Sequence, residues 1–184
     1  MATATQTRHM PEELLDITDR PMPELIDGEL VEREPMGQEA DEVGINVATL
    51  LKAYSKATLP GVVNGAQGSF QIFPDDPNKI RIPDVSFTRR DRLPEGKPAR
   101  GHGRVAPDLA VEVISPNDIA SDVQRKIRDF LNAGIPLIWV VNPETRDVQV
   151  IRADGTGALL KVGDTLNGGD VLPGFSCPVA ALFE

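Results

Sequence analysis

The chain has 184 residues and a formal net charge of −9, with 40% hydrophobic and 26% charged residues. This composition is ordinary for a soluble globular protein, and the negative charge counts against broad nonspecific binding of nucleic acid while leaving room for a local basic cleft. No apolar run approaches the roughly 20 residues of a membrane span, and the single cysteine, Cys177, excludes an intrachain disulfide and a multi-cysteine zinc site.

The N-terminal stretch has neither the apolar core of a signal peptide nor a clear structural pattern. We therefore expect a cytoplasmic protein that does not enter a membrane. We expect residues 1–20 to form a flexible tail with one short helix near 11–17, and residues 21–184 to form a single domain.

A hairpin and a long helix are predicted next. Asp27-Gly28 lies between two short extended pieces in residues 23–33, which is a strong hairpin signal. Residues 39–56 carry apolar side chains at steps of three and four, which predicts an amphipathic helix.

The rest of the chain reads mainly as strands with one further helix. In chain order, we predict strand, kink and strand over 61–73, a strand over 79–90, a loop over 91–106, a strand over 108–115, a helix over 119–132, strands over 136–142 and 148–152, and short strands with Gly-rich turns and a final helical turn after 155. The strand–helix–strand order between 108 and 141 implies a right-handed crossover joining two parallel strands. The fold class is therefore α/β or α+β, with one mixed sheet and few helices.

Three carboxylates stand in apolar, strand-like surroundings. Asp84 lies in IPDVSF, Glu112 lies in AVEVIS, and Glu29 follows the Asp-Gly turn. Carboxylates that meet at one place repel each other unless a cation lies between them, and Mg²⁺ prefers carboxylate oxygens and water. The sequence leaves open that Asp84 faces solvent on one side of its strand. Glu112 fits that alternative less well, because a loop and a crossover helix should cover both faces of its strand.

Several segments carry a resemblance when their order and spacing are taken together. They are ELIDGELVE at 24–32, IPDVSF at 82–87, PDLAVEVISPND at 107–118, KIRDFLNAGIPLIWVVNP at 126–143 and VLPGFSCPVAALF at 171–183. In these segments the chain resembles the Uma family of "putative restriction endonucleases", within the PD-(D/E)XK nuclease superfamily. The resemblance implies a restriction-endonuclease-like mixed sheet flanked by helices, with a metal site at the edge of its central strands.

The resemblance also implies roles for individual residues. Asp84 and Glu112 look like the acidic metal ligands, assisted by the backbone carbonyl of Val113. Ile114 stands where the superfamily usually has its lysine, and Lys126 fits the position to which that lysine has migrated in this family.

The hairpin supplies the remaining acidic candidates. Glu29 looks like a further acidic ligand with a catalytic role, and Glu24 is a second candidate. Two departures from the family stand out: no histidine occurs at the start of the first long helix, and Phe130 stands where relatives often have tyrosine.

Together these residues predict an endonuclease that depends on Mg²⁺ (or Mn²⁺) and hydrolyses phosphodiester bonds of duplex DNA, acting as a homodimer. The arginines that flank the site in sequence are the predicted DNA contacts: Arg89, Arg90, Arg92, Arg100 and Arg104. Two alternatives stay open. One is a catalytically impaired relative that binds DNA or another protein, and the other is a metal-binding α/β protein with a substrate other than nucleic acid.

Overall fold

The computed structural model describes residues 8–18 and 21–184. Of the predicted flexible tail, residues 1–7 and 19–20 lie outside the described residues. Between them, the predicted short helix is present as α1 (Glu13–Asp16), and Leu14 is fully buried. The carbonyl of Pro11 accepts a hydrogen bond from Nε2 of the buried His102 at 2.7 Å, so this segment packs against the rest of the molecule.

The predicted hairpin and first long helix are confirmed. Strands β1 (Glu24–Ile26) and β2 (Glu29–Val31) pair antiparallel. Asp27 and Gly28 have φ angles of 53° and 82°, the left-handed conformations that a two-residue hairpin loop requires. Helix α2 (Gln38–Ala57) buries its predicted apolar stripe against the central sheet.

The central sheet is mixed and has six strands among the described residues. They are β3 (Gly61–Asn64), β4 (Val85–Arg89), β5 (Leu109–Val113), β6 (Leu137–Asn142), β7 (Asp147–Arg152) and β8 (Gly157–Lys161), and they lie in chain order across the sheet. Only β5 and β6 pair in parallel, and helix α3 (Ala120–Asn132) connects them, as the strand–helix–strand pattern predicts. Two further strands, β9 (Thr165–Gly168) and β10 (Leu172–Pro178), form a separate antiparallel pair.

Two of the predicted strands differ in the structure: one does not form and one is shorter. Instead of a second strand after the kink near Gly65, only Phe70 forms isolated bridges, to Arg81 and to Gly103. The strand predicted over 79–90 begins at Val85, because Pro83 has no backbone N–H to donate to a sheet. Asp84 therefore lies immediately before β4.

The two faces of the sheet pack against different helices. Val111 and Val113 of β5 join the core formed with α2, whereas Ala110 packs with Ile127 and Phe130 of α3. Because side chains alternate along a strand, the side chain of the residue between the two valines is directed toward α3. The described helices include none that is long and apolar enough to cross a membrane.

Candidate active site

Glu112 lies near the C-terminal end of β5 on the face covered by α3, and its side chain contacts a lysine of that helix. The side-chain amine of Lys126 donates hydrogen bonds to Oε2 of Glu112 and to the carbonyl of Ile82, each at 2.7 Å. The prediction that the Lys126 amine reaches the carboxylates is confirmed. The crossover from β5 into α3 brings the two residues together, since the helix packs back over the strand that it follows.

Asp84 occupies the gap where β4 and β5 separate. Backbone pairing between these strands ends at Val85 and Val111. Beyond that point, Oδ2 of Asp84 accepts the backbone N–H of Val113 at 2.8 Å, so a side chain takes the place of a strand partner. Oδ1 of Asp84 accepts a hydrogen bond from Nη2 of Arg33 at 3.1 Å.

Glu24 of the hairpin is the third buried carboxylate of the site. Its Oε1 accepts the backbone N–H of Ile82 at 2.8 Å and lies 3.4 Å from the Lys126 amine, and its Oε2 accepts Nη1 of Arg81 at 2.7 Å. Arg81 also donates Nε to Asp129 of α3 at 2.8 Å. Asp129, Arg81, Glu24 and Lys126 thus form a chain of charges that starts and ends on helix α3, and we call this set the α3 ion ring.

Burial and charge shift the pKa of each of these groups. Burial raises the pKa of Glu112 to about 8, against the effect of the Lys126 ammonium. Burial also raises the pKa of Asp84, although Lys126 and the Val113 N–H act in the opposite direction. Burial would raise the pKa of Glu24 too, but the charges of Lys126 and Arg81 outweigh it and the pKa lies below its ordinary value.

Lys126 remains a cation in this setting. Burial acts to lower the pKa of its amine, but the negative groups Glu112, Glu24 and Asp84 outweigh that effect and raise the pKa above its ordinary value. The site therefore holds a fixed positive charge beside buried carboxylates, an arrangement that suits stabilising negative charge on a substrate.

The donor set matches a metal that needs few protein ligands. Among the described residues, no three His, Cys, Asp or Glu side chains converge to enclose an ion. Mg²⁺ is usually bound by one or two carboxylates and keeps several waters, so Asp84 and Glu112 suit it without a full cage. Within the same described part of the chain, Oε1 of Glu112 is a buried oxygen with no hydrogen-bond partner, as a free ligand position requires.

The site opens into a cleft of about 930 Å³ that contains both signs of charge. Glu29 lines this cleft with an exposed side chain, whereas its neighbour in the hairpin, Glu24, reaches the buried carboxylates. The basic residues of the lining outside the α3 ion ring are Arg33, Lys79, Arg125 and Arg128. Further carboxylates of the lining are Asp27, Glu32, Glu34, Asp41, Asp118 and Asp122.

The structure does not bring the arginines expected to contact DNA to this cleft. Arg89 follows Asp84 by five residues of extended chain, a separation of about 17 Å. Arg89 pairs with Asp91, Arg92 pairs with Asp108, and Arg90 donates to a backbone carbonyl. The remaining two, Arg100 and Arg104, line a separate, more apolar cavity of about 720 Å³.

Sequence reasoning missed three charged residues of the site. Arg33 contacts Asp84 across 51 positions, and Arg81 and Asp129 interact across 48 positions. No periodicity or local motif signals such long-range pairs. The signal that was available is the presence of Arg81 in the apolar run KIRIPDVSF, since a buried cation in such a run needs carboxylate partners.

Comparisons with known proteins agree with this fold. Residues 11–180 match the model of a family described as "Uma2: Putative restriction endonuclease". The crystal structure of a "putative nuclease belonging to DUF820" from Anabaena variabilis has a TM-score of 0.77 at 17% sequence identity, over 95% of this chain and 97% of that chain. No curated protein matches the chain. The restriction-endonuclease-like fold expected from the sequence is confirmed.

Proposed function

Because the chain belongs to the Uma2 family of restriction-endonuclease-like nucleases, we propose that it is a metal-dependent endonuclease that hydrolyses DNA phosphodiester bonds in the cleft above Glu112. The observation that carries this proposal is the hydrogen bond of the Lys126 amine to Glu112, beside Asp84, at the base of an open cleft. A nuclease needs both an acidic ligand pair and a cation at one place.

Asp84, Glu112 and the backbone carbonyl of Val113 are the groups proposed to hold Mg²⁺ or Mn²⁺. A bound ion of this kind supplies polarisation of the phosphodiester and a lower pKa for an attacking water. Glu112 has an oxygen free for this purpose, and the N–H of Val113 fixes the carboxylate of Asp84 at the same strand end. Glu29, at the cleft wall, is the proposed outer acidic group.

Lys126 is proposed to stabilise the negative charge that develops on the phosphate. Its amine is held by Glu112 and by the carbonyl of Ile82, so it needs little reorganisation when a substrate arrives. The negative groups Glu112 and Glu24 keep the amine charged by raising its pKa against the effect of burial. Phe130, one turn further along α3, has its ring centre 5.9 Å from the amine.

The substrate proposed is duplex DNA, cut by a homodimer of single-domain subunits that each span residues 21–184. Two strands require two sites, and one chain offers one cleft of this kind in its described part. Arg125 and Arg128 project from α3 into the cleft lining and are the proposed contacts for nearby phosphates.

The test is incubation of supercoiled plasmid with the protein and Mg²⁺ or Mn²⁺. We expect nicked and linear products that disappear with a chelator and with Asp84→Asn, Glu112→Gln or Lys126→Met. Asp122→Asn is the matched control. Asp122 lines the same cleft, but its side chain is exposed and pairs with Arg125 instead of contacting Asp84, Glu112 or Lys126.

Two results would decide against the proposal. Cleavage that persists in Asp84→Asn, Glu112→Gln and Lys126→Met would show that the catalytic residues lie at another site. No cleavage of duplex, single-stranded or branched DNA, combined with salt-sensitive DNA binding, would favour the catalytically impaired DNA-binding protein, for which the absent helix histidine is the first suspect.

A further inference from the structure

Arg33 makes a contact that a metal site would not retain. Its guanidinium donates Nη2 to Oδ1 of Asp84 at 3.1 Å and Nη1 to the carbonyl of Ala66 at 3.0 Å. The side chains of Arg33 and Asp84 are 14% and 8% exposed, so the pair is largely shielded from water. Arg33 comes from the loop between β2 and α2, which forms one wall of the cleft.

The carboxylate of Asp84 has limited room for partners. Its Oδ2 is bonded to the N–H of Val113 and its Oδ1 to Arg33. A divalent ion on Oδ1 would stand a few ångströms from the guanidinium in a partly buried setting, where repulsion between cations is strong. Oε1 of Glu112, by contrast, has no partner to be displaced within the described chain.

We propose that Arg33 is an exchangeable cation of this site. It neutralises Asp84 in the metal-free protein, leaves Asp84 when a divalent ion binds, and then donates its two-pronged guanidinium to a phosphate oxygen of the substrate. This inference rests on the proposed function, because it requires Asp84 to be a metal ligand.

The released guanidinium has a clear next partner. The cleft lining contains more carboxylates than cations, so a DNA phosphate entering it needs each available positive group. A guanidinium binds phosphate with two parallel hydrogen bonds, which a single-point ammonium cannot do. Arg33 already lies at the carboxylates, whereas Arg125 and Arg128 are on the α3 side of the cleft.

The experiment is calorimetric titration of Mn²⁺ and of Ca²⁺ into the DNA-free protein, which measures binding without any turnover. Arg33→Met should bind the ion roughly tenfold more tightly than the unchanged protein, because the competing charge is gone. Arg33→Lys keeps the positive charge, so its affinity for the ion should be closer to that of the unchanged protein. Arg128→Met is the matched control: it removes a positive charge from the same cleft without removing a bond to Asp84, so its affinity should change less than about threefold.

A second measurement uses a short DNA duplex in Ca²⁺, with fluorescence anisotropy as the readout. Arg33→Met should bind the duplex about fivefold or more weakly even at saturating Ca²⁺, the order expected for loss of one charged hydrogen-bond pair. Thermal melts of each variant establish that the fold is intact.

The outcomes separate this inference from the proposed function. Equal ion affinity in Arg33→Met and the unchanged protein would overturn the inference while leaving a metal-dependent nuclease standing. Tighter ion binding with unchanged duplex affinity would overturn the phosphate contact. Failure of both proteins to bind either ion at millimolar concentration would instead refute the metal site of the proposed function.

Discussion

At the scale of single residues, Glu112 is the clearest departure from ordinary folding rules. A carboxylate in a central strand normally lowers stability, and here it is 7% exposed with one oxygen unsatisfied among the described residues. Lys126 compensates for only part of this cost, since it bonds Oε2 and leaves Oε1 free. A ligand that binds Oε1 would therefore stabilise the folded protein.

The raised pKa of Glu112 gives this cost a pH dependence. Its pKa of about 8 in the folded protein lies above the ordinary value of 4.5, so the folded state binds more protons than the unfolded state between these values. Stability must then fall as pH rises through this range. We expect Glu112→Gln to melt at nearly the same temperature as the unchanged protein near pH 5 and several degrees higher at pH 9, roughly 2–4 °C for each kcal/mol.

Metal-free thermal melts between pH 5 and 9 measure this difference, with Asp122→Asn as the exposed-carboxylate control. A Glu112→Gln midpoint well below that of the unchanged protein at every pH would make Glu112 a structural partner of Lys126. The nuclease proposal would then lose its central residue.

At the scale of elements, the α3 ion ring fixes the helix to the hairpin. Arg81 joins Glu24 of β1 to Asp129 of α3, and Glu24 in turn lies beside Lys126 on the same helix. Few direct apolar contacts connect the hairpin with α3, whose buried residues pack on the sheet instead. The orientation of Lys126 therefore depends on charged groups from three separate parts of the chain.

Removing Arg81 should be far more damaging than removing the neighbouring lysine. Arg81→Met leaves two carboxylates, Glu24 and Asp129, without their main partner in a buried setting, and the expected cost is about 3–5 kcal/mol. Lys79→Met is the matched control, because Lys79 also bonds Asp129 but its other partner, Asp75, is largely exposed. Denaturant unfolding of both variants measures the free energy of unfolding. A similar decrease in the two variants would show that Arg81 contributes no more to stability than Lys79 does.

At the scale of the whole molecule, the charge is not that of a broad DNA-binding surface. The net charge is −9, and the cleft itself contains more carboxylates than cations. Any DNA binding must then come from a few local cations, and log affinity should fall with log salt by about 0.9 for each phosphate contact. Two groups of arginines are candidates for contact with DNA: Arg125 and Arg128 of α3 in the cleft, and Arg89 and Arg90 at the end of β4.

Paired charge reversals distinguish these groups. We expect Arg125→Glu with Arg128→Glu to weaken duplex binding and to reduce the slope of log affinity against log salt by about 0.9 for each lost phosphate contact. Arg89→Glu with Arg90→Glu should have a smaller effect, because these residues lie at the other end of β4. Lys161→Glu, on strand β8, is the remote control, and anisotropy titrations at several salt concentrations provide the measurement. A larger effect of the Arg89 and Arg90 pair would show that DNA follows the surface predicted from the sequence.

The sequence was informative where local pattern decides structure. Periodicity located α2 and α3 within one or two residues, and the strand–helix–strand order gave the parallel pair that brings Lys126 to Glu112. It was less informative where a side chain depends on distant partners. Glu24 and Glu29 sit in the same hairpin, and only Arg81 and Ile82, more than 50 positions away, determine which of the two is buried.

The separation of β4 from β5 has a consequence for how the site can be observed. Past Val111, the backbone N–H of Val113 is held by the carboxylate of Asp84 instead of by a neighbouring strand. Exchange of that single amide proton for solvent deuterium therefore reports on the state of Asp84, while the amides on either side remain governed by the sheet. One backbone atom thus serves as a built-in probe of the acidic centre, readable in a protein that has neither metal nor DNA.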